Sequence, residues 1–423
     1  MQEKIRKTSI LLGLLMLSAF NPFKVVHAAS HCSHRDYPDT PKTRNALEWP
    51  FDARSVWNMP IGCDAHYVNA KLVPPDDVDI DHDIIVATSD SDPLVPVYLA
   101  GGIPGNSNRY IYGKNPDRCR GTVPLGRPMK IHFPHDFLAP VTPYGRNHST
   151  AVIAPDGDTL RQLNALGRCK KGGPVYGLNQ AFSQCTESLK GDGITCFGGH
   201  GGSGLSSIGG TLRATDFAND APIRHALKIN LRPYQMYMDR TKKKCEKRWP
   251  AKNCDNHWSK HVNHKGYASS HVRGLVEGAL LALPPNLTYT DLGITTAAGK
   301  KFFDVLQDFG AYLADGSGTG ERVRNSFSAT YEADAAFRQR YGHSLEAYGN
   351  KNAPPNNTQG QWMRDIRTII SHLHVVDDNG PTSIGGHGAA RRAPMAPPFD
   401  GKAGADRNHT STSPRPPRLI TID

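Results

Sequence analysis

Several motifs that would settle a function are missing from this chain. No two cysteines are separated by two residues, so neither a thiol oxidoreductase nor a zinc knuckle is encoded. Neither GxxxxGK[ST] nor a GxGxxG following a clear strand is present, which removes the common nucleotide-binding loops. GxSxG and HExxH are absent too, and no RNP, zinc-finger or helix-turn-helix pattern supports nucleic-acid recognition. After the first 28 residues no apolar run approaches transmembrane length, so no membrane span is expected.

What is present begins with an export signal. Lys4, Arg6 and Lys7 precede an apolar run over 10–20, and Val26 and Ala28 occupy the small-residue positions of a cleavage site. Cleavage after Ala28 would remove four basic residues and one acidic one. The formal net charge of +11 would then become +8. All eight cysteines follow that site, and in an oxidising compartment an even count reads as disulfides. The short-range pairs Cys185 with Cys196 and Cys245 with Cys254 are favoured. A secreted or periplasmic location follows, and the positive charge points to an acidic partner such as a uronate polysaccharide.

The chain divides into a signal over 1–28, an N-terminal extension over 29–45, one globular domain over 46–386 and a proline-rich, disordered tail over 387–423. Short apolar runs over 83–88, 94–99, 128–133, 223–231 and 275–283 are separated by glycine and proline. A strand–turn–strand pattern spans 150–163. Helical periodicity arises only in the last third: Phe302, Leu306, Phe309 and Leu313 with a stop at Asp315 and Gly316; a second helix over 332–341; and a stripe from Trp362 to Leu373 begun by Thr358 and Gln361. The fold class expected is β-rich α+β, an antiparallel sandwich or jelly-roll-like core with C-terminal helices packed on it.

Four segments could carry chemistry. In the glycine-rich stretch over 197–206, His200, Ser203 and Ser206 could serve as base, nucleophile or hydrogen-bonding groups, with His200 the catalytic candidate. On the strand expected over 223–230, alternation places Arg224, Ala226, Lys228 and Asn230 on one face, so Arg224 and Lys228 could bind carboxylates while His225 joins the apolar side. The basic stretch over 232–273 interleaves lysines with aromatics, and Trp249 and Trp258 could stack on sugar rings. There Cys254, His257, His261 and His264 have ligand-like spacing, but without a flanking carboxylate motif no metal and no cofactor is expected.

The fourth segment holds Tyr267, His271 and Arg273 within seven residues at the start of an apolar run. Arginine neutralises a uronate carboxylate while histidine or tyrosine removes the neighbouring proton, which is lyase chemistry. A glycoside hydrolase needs two carboxyl groups instead. Glu277, Asp315, Asp377 and Asp378 are available, no local pattern pairs any two, and Glu277 stands out among apolar neighbours. The functional expectation is a secreted carbohydrate-active protein acting on an acidic polysaccharide, a lyase if it is an enzyme. The alternative is a non-catalytic glycan-binding protein.

Overall fold

The computed structural model describes residues 35, 37, 40–99, 119, 129–140, 148–177, 185–239, 244–255, 272–317, 323–348 and 358–400. Among these the strands in chain order are β1 (Tyr67–Asn69), β2 (Asp77–His82), β3 (Ile84–Ala87), β4 (Leu94–Leu99), β5 (Lys130–His132), β6 (Thr150–Ile153), β7 (Thr159–Leu163) and β8 (Val175–Gly177). They continue as β9 (Glu187–Ser188), β10 (Leu227–Leu231), β11 (Leu280–Ala282), β12 (Ala311–Gly316), β13 (Arg324–Ala329), β14 (Ala347–Tyr348) and β15 (His374–Val376). The helices are α1 (Tyr289–Leu292), α2 (Ala297–Asp308), α3 (Tyr331–Tyr341) and α4 (Thr358–Ser371).

The main sheet has eight strands in the order β1-β15-β11-β12-β10-β13-β2-β14. It is mixed: β10 runs parallel to β12 and β13 parallel to β2, while the other neighbours are antiparallel. The protein is thus strand-rich as expected, but its central sheet is not the antiparallel one the short runs suggested. Parallel neighbours need crossovers, and the segment between β10 and β12, which contains α2, supplies one. Phe302 on α2, Phe327 on β13, Phe337 on α3 and Trp362 on α4 meet edge-on or tilted in the core this crossover closes.

Two smaller sheets, β3-β6-β7-β9 and β5-β4-β8, share a second apolar core. Alternation explains their sidedness. In β4, Val95 and Val97 are buried while Leu94 is exposed, as a one-faced strand requires. The chain passes from the main sheet to the second through a single residue, Asp83, between β2 and β3.

Helices α2, α3 and α4 lie where the periodicity placed them, with one correction, and α1 was not expected. The first stripe was read as continuing to Leu313, but α2 ends at Asp308 and Gly310 takes a φ of 74°. Residues 311–316 then extend as β12, so Leu313 belongs to a strand and Asp315 is no helix stop. Both chain ends were expected outside the domain, yet their described parts pack on it. Arg35 bonds the buried Asp308 at 2.7 Å, Arg44 stacks over Phe399 at 3.9 Å, and Arg392 N donates to Ile61 O. Proline-rich composition removes backbone donors without preventing carbonyls from accepting, and Pro397 and Pro398 accept from Arg44.

Disulfides join Cys119 to Cys169, Cys185 to Cys196 and Cys245 to Cys254, including both short-range pairs favoured above. Cys63 is bonded as well, and among the described residues no cysteine is free. These crosslinks fit an oxidising compartment. Among the described residues no helix is long and apolar enough to cross a membrane. Alkylation of the folded protein without reduction should leave its intact mass unchanged; uptake of a label on any cysteine would contradict this framework.

Candidate active site

The site starts from the two faces of β10. All five of its residues are buried, with Leu227, Ile229 and Leu231 toward the helices and Lys228 and Asn230 on the opposite face. On that polar face the register brings Asp79, Ser326, Asn230 and Asp315 into one row across β2, β13, β10 and β12. Asp315 reaches the row through a bulge. Ile229 pairs with Leu313 but Asn230 pairs with Asp315, so Ala314 is an extra residue. In a regular strand Asp315 would share a face with Leu313 and enter the apolar core; the bulge turns it over.

The glycine-rich stretch covers this face. Ser203 N donates to Ala314 O, the bulge carbonyl, and Gly198 N, His200 N and Gly204 N close the loop on itself. Gly204 has a φ of 69°, a conformation that favours glycine. Gly202 comes so near the sheet that a Cβ there would lie 2.5 Å from Asp315 Oδ1 and 3.0 Å from Glu277 Oε1. From the other side, Gln162 accepts from Ser207 N at 2.6 Å and donates to Glu187 at 3.0 Å. Burial pushes the Glu187 carboxyl up to about 7, against the backbone N–H of Thr195.

Beneath the loop, Asp83 is the centre of a fully buried polar cluster. It accepts from Lys228 Nζ at 2.9 Å and Thr211 Oγ1 at 2.6 Å, and His200 Nε2 lies 3.0 Å from its other oxygen. Burial works to raise the Asp83 pKa, but the Lys228 and His200 charges outweigh it and hold the carboxyl below its usual range. Lys228 is lowered by burial, with Asp83 opposing. Asp81 lies beside them, bonded by Asn230 Nδ2 at 2.8 Å and 3.8 Å from His200 Nδ1.

Next to this cluster, oxygens of Asp255, Glu277 and Asp315 all lie within 4.8 Å of one another. Glu277 is buried just before β11, and both its oxygens face the backbone N–H of Asp255 at 3.2–3.3 Å. Asp255 is half-buried and follows Cys254, so the Cys245–Cys254 disulfide fixes the loop that delivers it. Burial raises Glu277 well above the ordinary carboxyl range, and the charge of Asp255 adds to this. Asp315 is raised as well, by burial and then by the charges of Asp255, Glu277 and Asp81. Crowded carboxyls of this kind retain a proton at neutral pH. An oxygen-only set at this spacing is also the donor type a hard divalent cation takes.

The sequence candidates fare unevenly. His200 reaches the site but is fully buried against Asp83, so it does not stand exposed as a base. Lys228 is buried with it and donates to Asp83 and Ser206 O; its charge is matched within the protein and does not project to a ligand. Arg224 lies outside β10, which starts only at Leu227, and sits half-buried over the Tyr37 ring at 5.7 Å. Trp249 is half-buried against the main core. Arg273 occupies an exposed turn, since the strand expected from 275 forms only as β11. His271, Tyr267, Trp258, His257, His261 and His264 lie outside the described residues. Cys254 is in a disulfide, which removes its thiolate from the ligand set read with those histidines.

Asp255 was missed altogether. The available signal was its place directly after a cysteine of a short-range pair. Glu277 and Asp315 were both noticed, but their pairing is a contact across the sheet. No protein-family model matches the chain, and neither a curated protein nor a solved structure matches it.

Breaking the Asp83–Lys228 pair leaves a buried charge alone, so Lys228→Met should cost about 3–5 kcal/mol in urea unfolding. Asp83 has a depressed folded pKa, so its stabilisation exists above the unfolded value near ~3.9 and is lost as pH falls through the folded one. Glu277 has the opposite sign. Glu277→Gln should become more stable than wild type as pH rises from about 4.3 through the raised folded pKa, and a gap that does not widen with pH would contradict the assignment.

Proposed function

We propose that this protein is an exported carbohydrate-active enzyme that cleaves glycosidic bonds with the carboxyl groups of Asp315 and Asp255. The observation that carries the reading is the meeting of three carboxyl groups, contributed by β12, the segment before β11 and a disulfide-tethered loop. Glycoside cleavage needs one carboxyl that keeps its proton and a second that acts as base or nucleophile. Asp315 is half-buried and held in its protonated range, which suits it to protonate the leaving oxygen. Asp255, also half-buried, is the second group, and Glu277 positions it through the backbone N–H while keeping Asp315 high. A separation within 4.8 Å is nearer to the ~5–5.5 Å of retaining enzymes than to the wider ~6.5–9.5 Å gap of inverting ones.

The lyase form of the reading places the base on His271 or Tyr267, for which the described residues give no geometry. The two chemistries leave different ends. Hydrolysis releases reducing ends alone, whereas elimination also leaves unsaturated uronic ends that absorb in the ultraviolet. With a panel of glycans we expect reducing ends without that absorbance, and products that retain anomeric configuration. Asp315→Asn should lower kcat by ~10²–10⁴ with little change in KM. Glu277→Gln should move the alkaline limb of the pH–rate profile to lower pH, as expected of a positioning residue. Unsaturated ends, or an Asp315→Asn variant as active as wild type, would overturn the reading; retention on a glycan column without cleavage would favour the non-catalytic alternative.

A further inference from the structure

The sheet β5-β4-β8 packs one face on the second apolar core and turns the other outward. Alternation fixes which residues stand on each face. Val95, Val97, Ile131 and Val175 are buried in the core, so Leu94, Pro96 and Tyr98 of β4, Lys130 and His132 of β5 and Tyr176 of β8 share the opposite face. Leu94 and Lys130 are exposed, and the other four are half-buried. None of the six belongs to the carboxyl cluster or to the groups around Asp83.

Register sets these side chains side by side. Tyr98 pairs with Tyr176 across the parallel strands, with ring centroids 5.9 Å apart and planes tilted by 41°. Among the described residues neither phenol hydroxyl is hydrogen-bonded, so each half-buried ring keeps a polar tip free for a ligand. On the other side of β4, Lys130 pairs with Pro96, which places it diagonally to Tyr98 on the same face. The charge of this face has one sign. Lys130 is a cation, His132 is held by the backbone through Nδ1 at 2.7 Å from Asp92 O, and none of the six side chains is a carboxyl. The Asp92 carboxyl, before the start of β4, is closed on its own turn by the N–H and hydroxyl of Ser89.

We propose that the outward face of β5-β4-β8 is a docking surface for a uronate glycan, whose sugar rings lie on Tyr98 and Tyr176 while Lys130 meets a carboxylate. Tyrosine suits this task, since its ring offers an apolar body for the faces of sugars and its hydroxyl can bond theirs. Lysine supplies a compact point charge on a flexible stem, able to follow a carboxylate along a chain. The surface goes beyond the cleavage reading and does not need it. It gives the net positive charge of the chain a place to act, away from the carboxyl cluster.

The test is calorimetry on the full-length Asp315→Asn protein, so that a bound glycan is not consumed. Its probes are a polyuronate oligosaccharide and the same oligosaccharide after carboxyl reduction. Tyr98→Ala and Tyr176→Ala, each introduced on that background, should weaken polyuronate binding about tenfold. Tyr98→Phe should keep most of the affinity, because the ring remains. Lys130→Ala should weaken binding and flatten its salt dependence, and carboxyl reduction should cost the parent affinity but not this variant. Lys130 is exposed, so its replacement tests the surface even where a tyrosine variant fails to fold. Affinity unchanged by the tyrosine and lysine variants, or equal affinity for the reduced oligosaccharide, would overturn the proposal. So would sedimentation showing a dimer that Tyr98→Ala separates, which would make the face an interface between copies of the chain. Failure of the catalytic reading looks different: the wild type would bind polyuronate through Tyr98 and cut no glycan, and the surface would stand without it.

Discussion

A carboxylate with no access to water sits at the one residue that joins the two larger sheets, and the arrangement around it depends on keeping that charge matched. Asp83 follows β2 and precedes β3, so its backbone belongs to neither sheet, and its carboxyl is fully buried. Desolvating a carboxylate is costly enough that it persists only with strong partners. Lys228 from the central strand, Thr211 from the segment after the loop and His200 from the loop itself supply them. Main sheet, second sheet and glycine-rich loop are thereby tied to one point. Hydrophobic burial drives the collapse of both cores, but it is non-directional. The ionic cluster specifies how these parts meet.

The loop is held at its other end by backbone contacts that glycine permits. Ser203 N reaches the carbonyl exposed by the β12 bulge, and Ser203 O receives the N–H groups of Lys252 and Asn253. One short segment thus connects the bulge that turns Asp315 outward with the disulfide-tethered loop that ends at Asp255. Gly202 fits over the carboxyls only because it lacks a Cβ. The same closeness removes water from Glu277 and Asp315, and that desolvation is the leading cause of their raised pKa. Structure and reactivity share an origin here: the backbone that packs the sheet also makes its carboxyls weak acids.

Chemistry of this kind opposes stability. Three carboxyls within 4.8 Å repel one another whenever more than one is ionised, and the nearby Asp83–Lys228 pair is already neutral overall. The cost is borne by a large continuous core in which α2, α3 and α4 pack on β10 and β13. Sites that retain such unfavourable charge are more often functional than structural.

How much of this was legible depends on the range of the interactions. The oxidised cysteines with both short-range bridges and many of the strands and helices follow from patterns within a few residues, because β alternation, helical periodicity and glycine punctuation are local. The same local rules misplaced Leu313: a four-three-four spacing fits a helix, and only the packing of β12 between β10 and β11 overrides it. They also read Lys228 as a surface cation, since alternation gives the face of a strand but not what covers that face. Asp255, Glu277 and Asp315 are separated by 22 and 38 residues in the chain, and no spacing rule connects them. By itself the sequence determined the two short-range disulfides, many of the secondary elements and part of the set of residues able to do chemistry. Which carboxyls meet was decided by a sheet register, one bulged residue and a loop pinned to a buried aspartate, all of them contacts between distant parts of the chain.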